Sequence, residues 1–345
     1  MKDQLGALRV GVPVARTVGR PWDNERMLAR VCAAFTGDAA AWTRTERRIR
    51  ALWQLCGTQV RTLEEDAPTP LAGHVVPLAR EALDGAGIAP GDVDLLVHGD
   101  LARERYEPAT AAGVADALGA HAALPVDVSS ACASWVLAVH DVLGRMALDP
   151  DIRVALVTTA TLTAGHLRYA MAGPEDVDTL GAGLTLGNAA SATLIVRAAL
   201  ARGHTAWSVP RAVHAAGLPV HHALCDAPVG GHFTSRGAEL FALARHVPGH
   251  LAALSARAGW RADAVDVWAL HQPSTRALRD LARAAGVAPD RMPSFHAVHG
   301  NCAASAVPLA WATLAVQGRC PPRACVGLSA AASGFVMAGL AVEME

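Results

Sequence analysis

Net charge, long apolar runs and paired cysteines are what this 345-residue sequence lacks. Its 30 basic and 31 acidic residues leave a formal charge of −1, which does not favour binding to nucleic acid or to a membrane surface. No apolar run of 18 or more residues lacks a polar interruption, so we expect no membrane span. Residues 1–17 lack the apolar core of a secretory signal peptide, and we therefore expect a cytoplasmic protein.

The seven cysteines include no CxxC pair, and a chain of this length does not need disulfides for stability. Both points favour a reducing compartment. Hydrophobic residues make up 52% of the sequence and charged residues 18%, a composition that excludes a disordered chain. The length exceeds the ~250–300 residues at which single cores stop growing, which favours two domains or halves.

Short apolar runs alternate with helical patterns, which is typical of an α/β fold. In the first set the predicted helices and strands are Val76–Ala86, 93–97, Thr110–Leu118, Leu124–Val128, Ala133–Met146, Val154–Thr159 and Ser191–Val196. In the second they are Gly237–Ala258, Ala264–Leu270, Thr275–Ala285, a strand-like Ser294–Val298, Ala303–Val316, Arg323–Leu328 and Val336–Val342. The break near residue 200 predicts two halves, 1–200 and 201–345, with residues 204–232 as a loop or insertion.

Cys132 is the best candidate nucleophile. It lies between a predicted strand and a predicted helix, among the small residues Ser130, Ala131, Ala133 and Ser134. The unpaired N–H groups of a helix N-terminus stabilise a thiolate, so this position predicts a lowered pKa for the Cys132 thiol. The alternative is a cysteine that is simply a small buried apolar residue.

His271 and Asn301 stand at two further strand-to-helix corners, where catalytic groups of α/β folds gather. Taken alone, His271 is equally well a structural histidine and Asn301 a helix N-cap. Together with Cys132, they form a set able to perform acyl chemistry, with backbone N–H groups holding an oxyanion.

Three other readings are weaker. Papain-type peptidases share the order and spacing of Cys132, His271 and Asn301, but the residues around Cys132 depart from their signature. The stretch 181–187 resembles a phosphate loop but has no lysine, and the stretch 221–226 offers metal-ligand types without a partner pair. We therefore expect no bound metal and no cofactor, and Cys302 is a less suitable nucleophile because its helix residues look packed.

Several motifs, in order, resemble the thiolase superfamily and within it the β-ketoacyl-acyl-carrier-protein synthase III group. The segments that carry the likeness are Val76–Leu83 with Gly87-Ile88, Pro108–Gly119, Asp127-Val-Ser-Ser-Ala-Cys132-Ala-Ser-Trp135, Arg236–Ala244, His271-Gln-Pro-Ser274 and His299-Gly-Asn-Cys-Ala-Ala-Ser305. The likeness extends over most of the chain from about residue 57 onward.

The resemblance implies a five-layer αβαβα fold built from two similar halves, usually as a homodimer. It implies that Cys132 is acylated and that His271 and Asn301 donate hydrogen bonds to the enolate left when a malonyl thioester loses carbon dioxide. It also implies an oxyanion hole formed by the backbone N–H groups of Cys132 and Ala330. The substrates are then thioesters of coenzyme A or of an acyl carrier protein.

The sequence departs from the family at several points. The family's C-terminal glycine loop corresponds to Ser329–Gly334 in this sequence. The family's "HQAN" motif ends here in Ser274, and its "GDGAGA" motif corresponds to residues 187–192. Gly57 and Arg61 are kept, but Trp53 and Arg50 do not match the residues that hold the coenzyme A adenine. We therefore consider a carrier protein as donor, with Arg276 at a basic docking position that Arg279 and Arg283 extend. A solvated helix face explains this stripe equally well.

These observations lead to three hypotheses for the function of the chain. The first is a condensing enzyme that joins an acyl group on Cys132 to a malonyl- or β-ketoacyl-type thioester, in polyketide or other specialised metabolism. The second is an acyltransferase of the same fold, with His271 as general base, that passes the acyl group to an alcohol, an amine or a carrier thiol. The third, a non-catalytic partner in a heterodimeric synthase, ranks last because all three polar groups are present.

Overall fold

The structure is a computed structural model that describes residues 2–64, 69–101 and 103–345. Its strands are β1 Leu8–Gly11, β2 Val14–Thr17, β3 Arg20–Asp23, β4 Val60–Leu63, β5 Leu95–Gly99, β6 Leu124–Val128, β7 Val154–Thr161, β8 Ala189–Arg197, β9 Trp207–Gly217, β10 Cys225–Asp226, β11 Thr234–Ser235, β12 Val267–Leu270, β13 Cys325–Ala332 and β14 Val336–Met344. Its α-helices are α1 Lys2–Gly6, α2 Asn24–Ala34, α3 Ala39–Cys56, α4 Leu71–Ala86, α5 Thr110–Leu118, α6 Ser134–Leu148, α7 Val177–Leu180, α8 Gly237–Ala242, α9 Val247–Ala258, α10 Thr275–Ala285, α11 His296–His299 and α12 Ala306–Val316.

Two similar halves are visible in the strand order of the main sheet, which runs β12-β13-β14-β9-β1-β8-β7-β5-β6. In the first half β5 and β7 pair parallel, whereas β7 with β8 and β8 with β1 pair antiparallel. The second half repeats this scheme, because β12 and β13 pair parallel, whereas β13 with β14 and β14 with β9 pair antiparallel. The two halves meet where β1 pairs antiparallel with β9.

Five layers result from the way helices cover this sheet. One apolar cluster joins α4 and α5 to the outer face of the first half, and another joins α9 and α10 to the outer face of the second. A third cluster lies between them and unites α6 and α12 with strands of both halves. The observed layers confirm the predicted αβαβα fold, whereas the boundary at residue 200 stays a prediction that falls between β8 and β9.

The central layer explains why α6 and α12 are so apolar. Trp135 of α6 and Trp311 of α12 are fully buried and meet edge to face with ring centroids 6.4 Å apart. Trp135 also donates from Nε1 to Thr193 Oγ1 of β8 at 3.0 Å. Ala131–Leu148 is the one described helical stretch long and apolar enough to cross a bilayer, and its burial against strands of both halves of the main sheet accounts for that composition.

Three sequence predictions about elements are wrong. The helix predicted over Gly237–Ala258 is interrupted by a 3₁₀ turn at Leu243–His246, immediately before Pro248 at the start of α9. The strand-like Ser294–Val298 instead contains the start of α11 at His296, so the second half contributes four strands to the main sheet. The predicted loop 204–232 contains β9, a central strand whose Pro210 weakened the strand pattern.

Helices α2 and α3 form an additional layer near the N-terminus. Asp23 and Asp38 cap them by accepting hydrogen bonds from the main-chain N–H groups of Arg26 and Ala41, both at 2.7 Å. Their apolar faces pack on residues 167–186 around the buried Trp53. This layer places residues 57–61 beside the segment that precedes Asn301.

Candidate active site

Cys132 lies in a 3₁₀ turn, Ala131–Ala133, between β6 and α6. The turn is strained, since Ala131 has a φ of 47°, a region that residues other than glycine seldom adopt. Ser134 stabilises it, because its Oγ donates to the Ala131 carbonyl and accepts from the Ser130 N–H, both at 2.7 Å. The half-buried thiol is thereby presented at the N-terminal end of α6, as predicted.

The predicted lowering of the Cys132 pKa is wrong. The pKa of the Cys132 thiol is raised to about 12, mainly by burial and to a lesser extent by nearby Cys225 and Asp100. The opposing effect of the Cys132 main-chain N–H is smaller. The resting group is therefore a neutral thiol, and the nucleophile forms only when a proton is removed.

Asn301 occupies the equivalent corner of the second half. A 3₁₀ turn at Ala303–Ser305 follows it and leads into α12, and Ala303 has a φ of 42°, close to that of Ala131. The Asn301 side-chain Oδ1 accepts the Ala303 N–H at 3.0 Å, which stabilises the turn locally, but Asn301 is not the N-cap of α12.

His271 and Asn301 lie in direct contact. His271 Nε2 is 3.0 Å from Asn301 Oδ1, and because an amide oxygen only accepts, the imidazole donates. His271 is 9% exposed, and burial lowers its pKa to about 4 against the opposing hydrogen bonds with Asn301 and the Ala331 backbone. The ring is thus neutral near pH 7 and able to donate from one nitrogen.

The three corners converge on one region of the molecule. The turn that carries Cys132 packs against the turn 303–305 that follows Asn301, and against β13. The main-chain N–H of His271 bonds the Ser329 carbonyl of β13 at 2.9 Å. The structure therefore brings the Cys132 turn together with the segments that carry His271 and Asn301.

Ala330, the predicted second oxyanion donor, is buried within β13 and pairs with Ala338 of β14. The predicted loop 329–334 is thus a strand up to Ala332, and the chain turns only at Ser333–Phe335. The described residues other than glycine with positive φ are Ala131, Ala303, Arg323 and Phe335, so Ala330 meets the condition of a negative φ. Its role as a donor stays a prediction.

A buried hydroxyl network ties the two halves together beneath this region. Ser305 Oγ lies 2.7 Å from Thr159 Oγ1 and 3.1 Å from Thr161 Oγ1. Thr161 Oγ1 in turn donates to the Asp100 carboxylate at 3.0 Å. These bonds fix the turn after Asn301 against β7, because each buried polar group is satisfied only in this arrangement.

The main chain of Asn301 is held by a stretch whose role the sequence did not reveal. Its N–H donates to the Thr185 carbonyl at 2.9 Å, and its carbonyl accepts from the Gly187 N–H at 3.0 Å. A Cβ at Gly187 would lie 2.1 Å from the His299 carbonyl oxygen, so only glycine permits this approach. The segment 181–187, which loosely resembled a phosphate loop, instead supports Asn301.

Sequence reasoning missed His296 in this region, and it considered Cys225 only as part of the stretch 221–226 with metal-ligand types. His296 is fully buried and bonds the main-chain oxygen of Gln272, the residue after His271. Cys225 lies within electrostatic range of Cys132 on the segment expected to be a loop. The only sequence signal for His296 was its place five residues before Asn301.

Arg276, Arg279 and Arg283 lie on one exposed face of α10, as predicted. Asp280 pairs with Arg276 at 3.5 Å and with Arg283 at 3.1 Å. With Ala51, Gln54 and Leu55 of α3 these residues line an open cavity of about 460 Å³. Ser274, which replaces the family's asparagine, caps α10 by accepting the Ala277 N–H at 3.0 Å.

The remaining candidate residues from the sequence make contacts within the protein itself. Trp53 is 2% exposed and so cannot stack on a nucleotide in this arrangement, whereas Arg50 is exposed and pairs with Glu25 and Glu46. Cys302 is buried and its thiol contacts the His299 carbonyl at 3.4 Å, while burial raises its pKa to about 12. Within the described parts of the chain, no group of three or more His, Cys, Asp or Glu side chains is arranged to hold a metal ion.

A family model, "3-Oxoacyl-[acyl-carrier-protein (ACP)] synthase III C terminal", matches residues 255–344. A β-ketoacyl-[acyl-carrier-protein] synthase III 2 from Streptomyces coelicolor is 31% identical over 250 residues, which cover 69% of this chain and 68% of that protein. A β-ketoacyl-[acyl-carrier-protein] synthase III from Mesorhizobium japonicum is 28% identical over 289 residues, covering 81% and 85% of the two chains.

Solved structures with the same fold cover nearly the whole chain. The Xanthomonas campestris OleA variant crystallised with bound lauric acid and lauroyl-CoA superposes with a TM-score of 0.87 at 19% identity, covering 97% of this chain and 99% of that one. The 3-oxoacyl-(acyl carrier protein) synthase III FabH from Xanthomonas oryzae gives a TM-score of 0.84 at 19% identity and covers 98% of both chains. At these identities the likeness shows the fold.

Proposed function

Because the chain belongs to the β-ketoacyl-[acyl-carrier-protein] synthase III family of acyl-thioester condensing enzymes, we propose that Cys132 carries the acyl group and that His271 with Asn301 activates the second thioester. The observation that carries the proposal is the 3.0 Å contact between the His271 and Asn301 side chains beside the turn that presents Cys132. The neutral imidazole and the carboxamide are both hydrogen-bond donors, which suits an oxygen that becomes negative during reaction.

The chemistry divides into two steps. In the first, the deprotonated Cys132 sulfur attacks the acyl thioester carbonyl, forms a thioester and expels the donor thiolate, which takes up the proton. In the second, a malonyl-type thioester loses carbon dioxide, and the enolate carbon attacks the Cys132 thioester. A carbon–carbon bond forms and Cys132 leaves as a thiolate.

The oxygen of that enolate needs two donors. Asn301 Oδ1 already accepts from Ala303 N–H, so its Nδ2 is the group that donates to the enolate oxygen. The His271 Nε2–H is the second donor, and a substrate oxygen replaces Asn301 Oδ1 as its acceptor. The N–H groups of Cys132 and Ala330 serve the oxyanion of the first step in this proposal.

We propose a carrier protein as acyl donor, with the α10 arginines as its docking surface. Support comes from the occupied surroundings of Trp53 and Arg50 and from the exposed basic face beside the α3–α10 cavity. Phosphopantetheine and acidic carrier surfaces both suit such a face.

We further propose a homodimer in the cytoplasm, working in specialised metabolism. Strand β6 ends the sheet order, and its Leu124 is 51% exposed, so a second copy is a fitting cover for this edge. The seven cysteines are free, which suits a reducing compartment. The alanines that replace the family's glycine loop suit a pocket altered for its own substrate.

The test combines intact-protein mass spectrometry with carbon dioxide release. We expect the wild type to gain one acyl mass from a matching thioester and to release carbon dioxide from a malonyl thioester, and Cys132→Ala to do neither. Asn301→Ala should still load but condense about 100-fold more slowly, the usual effect of losing one oxyanion donor. Cys32→Ala, at an exposed cysteine of α2, is the matched control and should behave as wild type.

Two results would count against this function. No acyl gain with any thioester contradicts Cys132 as the nucleophile. A loaded enzyme that passes its acyl group to an alcohol or amine, with no carbon–carbon bond, assigns the chain to the acyltransferase alternative. In that case Asn301→Ala is expected to spare the transfer.

A further inference from the structure

His296 lies between the segments that carry the two proposed donors. Its side chain is fully buried, and its Nδ1 is 2.9 Å from the carbonyl oxygen of Gln272, the residue that follows His271. Its own carbonyl oxygen accepts the N–H of Gly300, the residue before Asn301, at 2.9 Å. One residue thus links the neighbours of both donors.

The protonation of this ring follows from its partners. A carbonyl oxygen only accepts, so Nδ1 carries the hydrogen and donates to Gln272. Burial lowers the His296 pKa to about 4, and the ring is neutral, which leaves Nε2 as an acceptor. Thr58 Oγ1, 2.7 Å away, therefore donates to Nε2, and the imidazole is held in one tautomer and one orientation.

Further hydrogen bonds connect the segments around His296. Gln272 Oε1 accepts the N–H of Phe295 at 2.8 Å, and Gln272 Nε2 donates to the Leu270 carbonyl at 3.0 Å. Gln59 N–H donates to the Ala297 carbonyl at 3.2 Å. The segments around residues 58, 272 and 296 therefore form one hydrogen-bonded unit, with the His296 imidazole between the first two.

We propose that His296 is a positioning residue, which sets the separation of the His271 and Asn301 side chains through its bonds to Gln272 and Gly300. The proposal rests on the proposed function, in which those two side chains share one substrate oxygen. An error of about 1 Å in such a pair costs about 100-fold in rate. The loading of Cys132 does not use the pair, so positioning should affect condensation alone.

The experiment compares two near-isosteric variants of the full chain. In His296→Asn, the amide Nδ2 takes the place of the ring Nδ1 and keeps the bond to Gln272; in His296→Gln, the amide reaches only the Nε2 position. We expect the condensation rate of His296→Asn to lie within about threefold of the wild-type rate and that of His296→Gln to be about 100-fold lower. The loading of Cys132 should be unchanged in both variants. Thr58→Val, which removes only the donor to Nε2, should have a smaller effect than Gln.

A second readout does not depend on turnover. In ¹⁵N-histidine-labelled protein, the His271 imidazole signals should shift in His296→Gln and stay in place in His296→Asn. Equal loss of condensation in Asn and Gln, or loss of loading together with condensation, overturns the positioning role. If the wild type does not condense, the proposed function is contradicted. The NMR test of the positioning role still applies in that case, because it needs no turnover: His271 signals that do not move in His296→Gln contradict the positioning role.

Discussion

At the scale of single residues, the environment of Cys132 determines its reactivity more than its position at a helix start. The favourable N-terminal end of α6 is present, but the surrounding apolar groups remove the sulfur from water and favour the neutral thiol. His271, with a pKa of about 4, is a weak base for this thiol. Activation is therefore expected only when a substrate carbonyl lies against the sulfur.

Alkylation measures the thiolate fraction of Cys132 directly. Since its pKa is about 12, we expect the rate of reaction with iodoacetamide to rise about tenfold per pH unit from pH 7 to 10, without a plateau. A free cysteine peptide, whose thiol has a pKa near 8.5, should level off by about pH 9.5. Peptide mass spectrometry with Cys132→Ala as control gives the rates, and a plateau below pH 8 would show a lowered pKa.

At the scale of elements, α10 combines a buried face with a charged one. Leu278 and Ala282 pack into the core of the second half, whereas Arg276, Arg279 and Arg283 face the α3–α10 cavity. Because exposed ion pairs contribute little to stability, the pairs of Asp280 with Arg276 and Arg283 do not explain this stripe as a stabilising device. The proposed docking role places this surface on the helix that follows His271, which lies four residues before α10 begins.

Charge reversal on this helix tests the docking role. Arg279→Glu should raise KM for an acyl carrier protein about tenfold at low salt and leave kcat unchanged, because steering charges act mainly on encounter. The difference should shrink as salt increases. Arg257→Glu, at an exposed position of α9, is the matched control. An unchanged KM in Arg279→Glu would remove α10 from the docking surface.

At the scale of the whole molecule, the folded chain holds four neutral histidines in surroundings that exclude water. Burial lowers the pKa to about 4 for His140 of α6, His250 of α9, His271 and His296. His140 Nε2 donates to the Gly339 carbonyl of β14 at 2.8 Å, and the His250 ring stacks on His214. The folded chain therefore disfavours the second, charging proton on each of these four rings above about pH 4.

Acid should therefore destabilise the fold earlier than carboxylates alone would. Unfolded histidine has a pKa near 6.5, so below that pH the unfolded chain binds protons that the folded chain does not. The free energy of unfolding should change little between about pH 7 and 8 and fall as pH decreases from 6.5 to 4, by up to ~1.4 kcal/mol per pH unit for each group. Urea unfolding at several pH values measures this.

A matched variant tests how much His140 contributes to the pH dependence of the free energy of unfolding. In His140→Gln, the amide Nε2 retains the bond to Gly339 but does not titrate, so the slope between pH 6.5 and 4 should decrease while stability at pH 7.5 changes little. An identical slope in wild type and variant would show that His140 does not contribute.

Local patterns determined much of this protein. The alternation of apolar runs and helical periods gave the α/β class and most element positions, because burial imposes period 2 or 3.6 on the residues themselves. The motifs around Cys132 and His271 each placed a polar side chain at a strand-to-helix corner, which the structure confirms, whereas Asn301 lies between α11 and the turn that precedes α12. The roles of these three residues stay predictions.

Only the tertiary structure decided what surrounds those side chains. Central strand β9 was hidden by Pro210, and the expected strand at 294–298 became the turn that carries His296. The support of Asn301 by Thr185 and Gly187, and the link from His296 to Gln272, join segments far apart in the chain. The raised pKa of Cys132 has the same origin, since desolvation depends on which distant residues pack around the sulfur, and no local pattern records that.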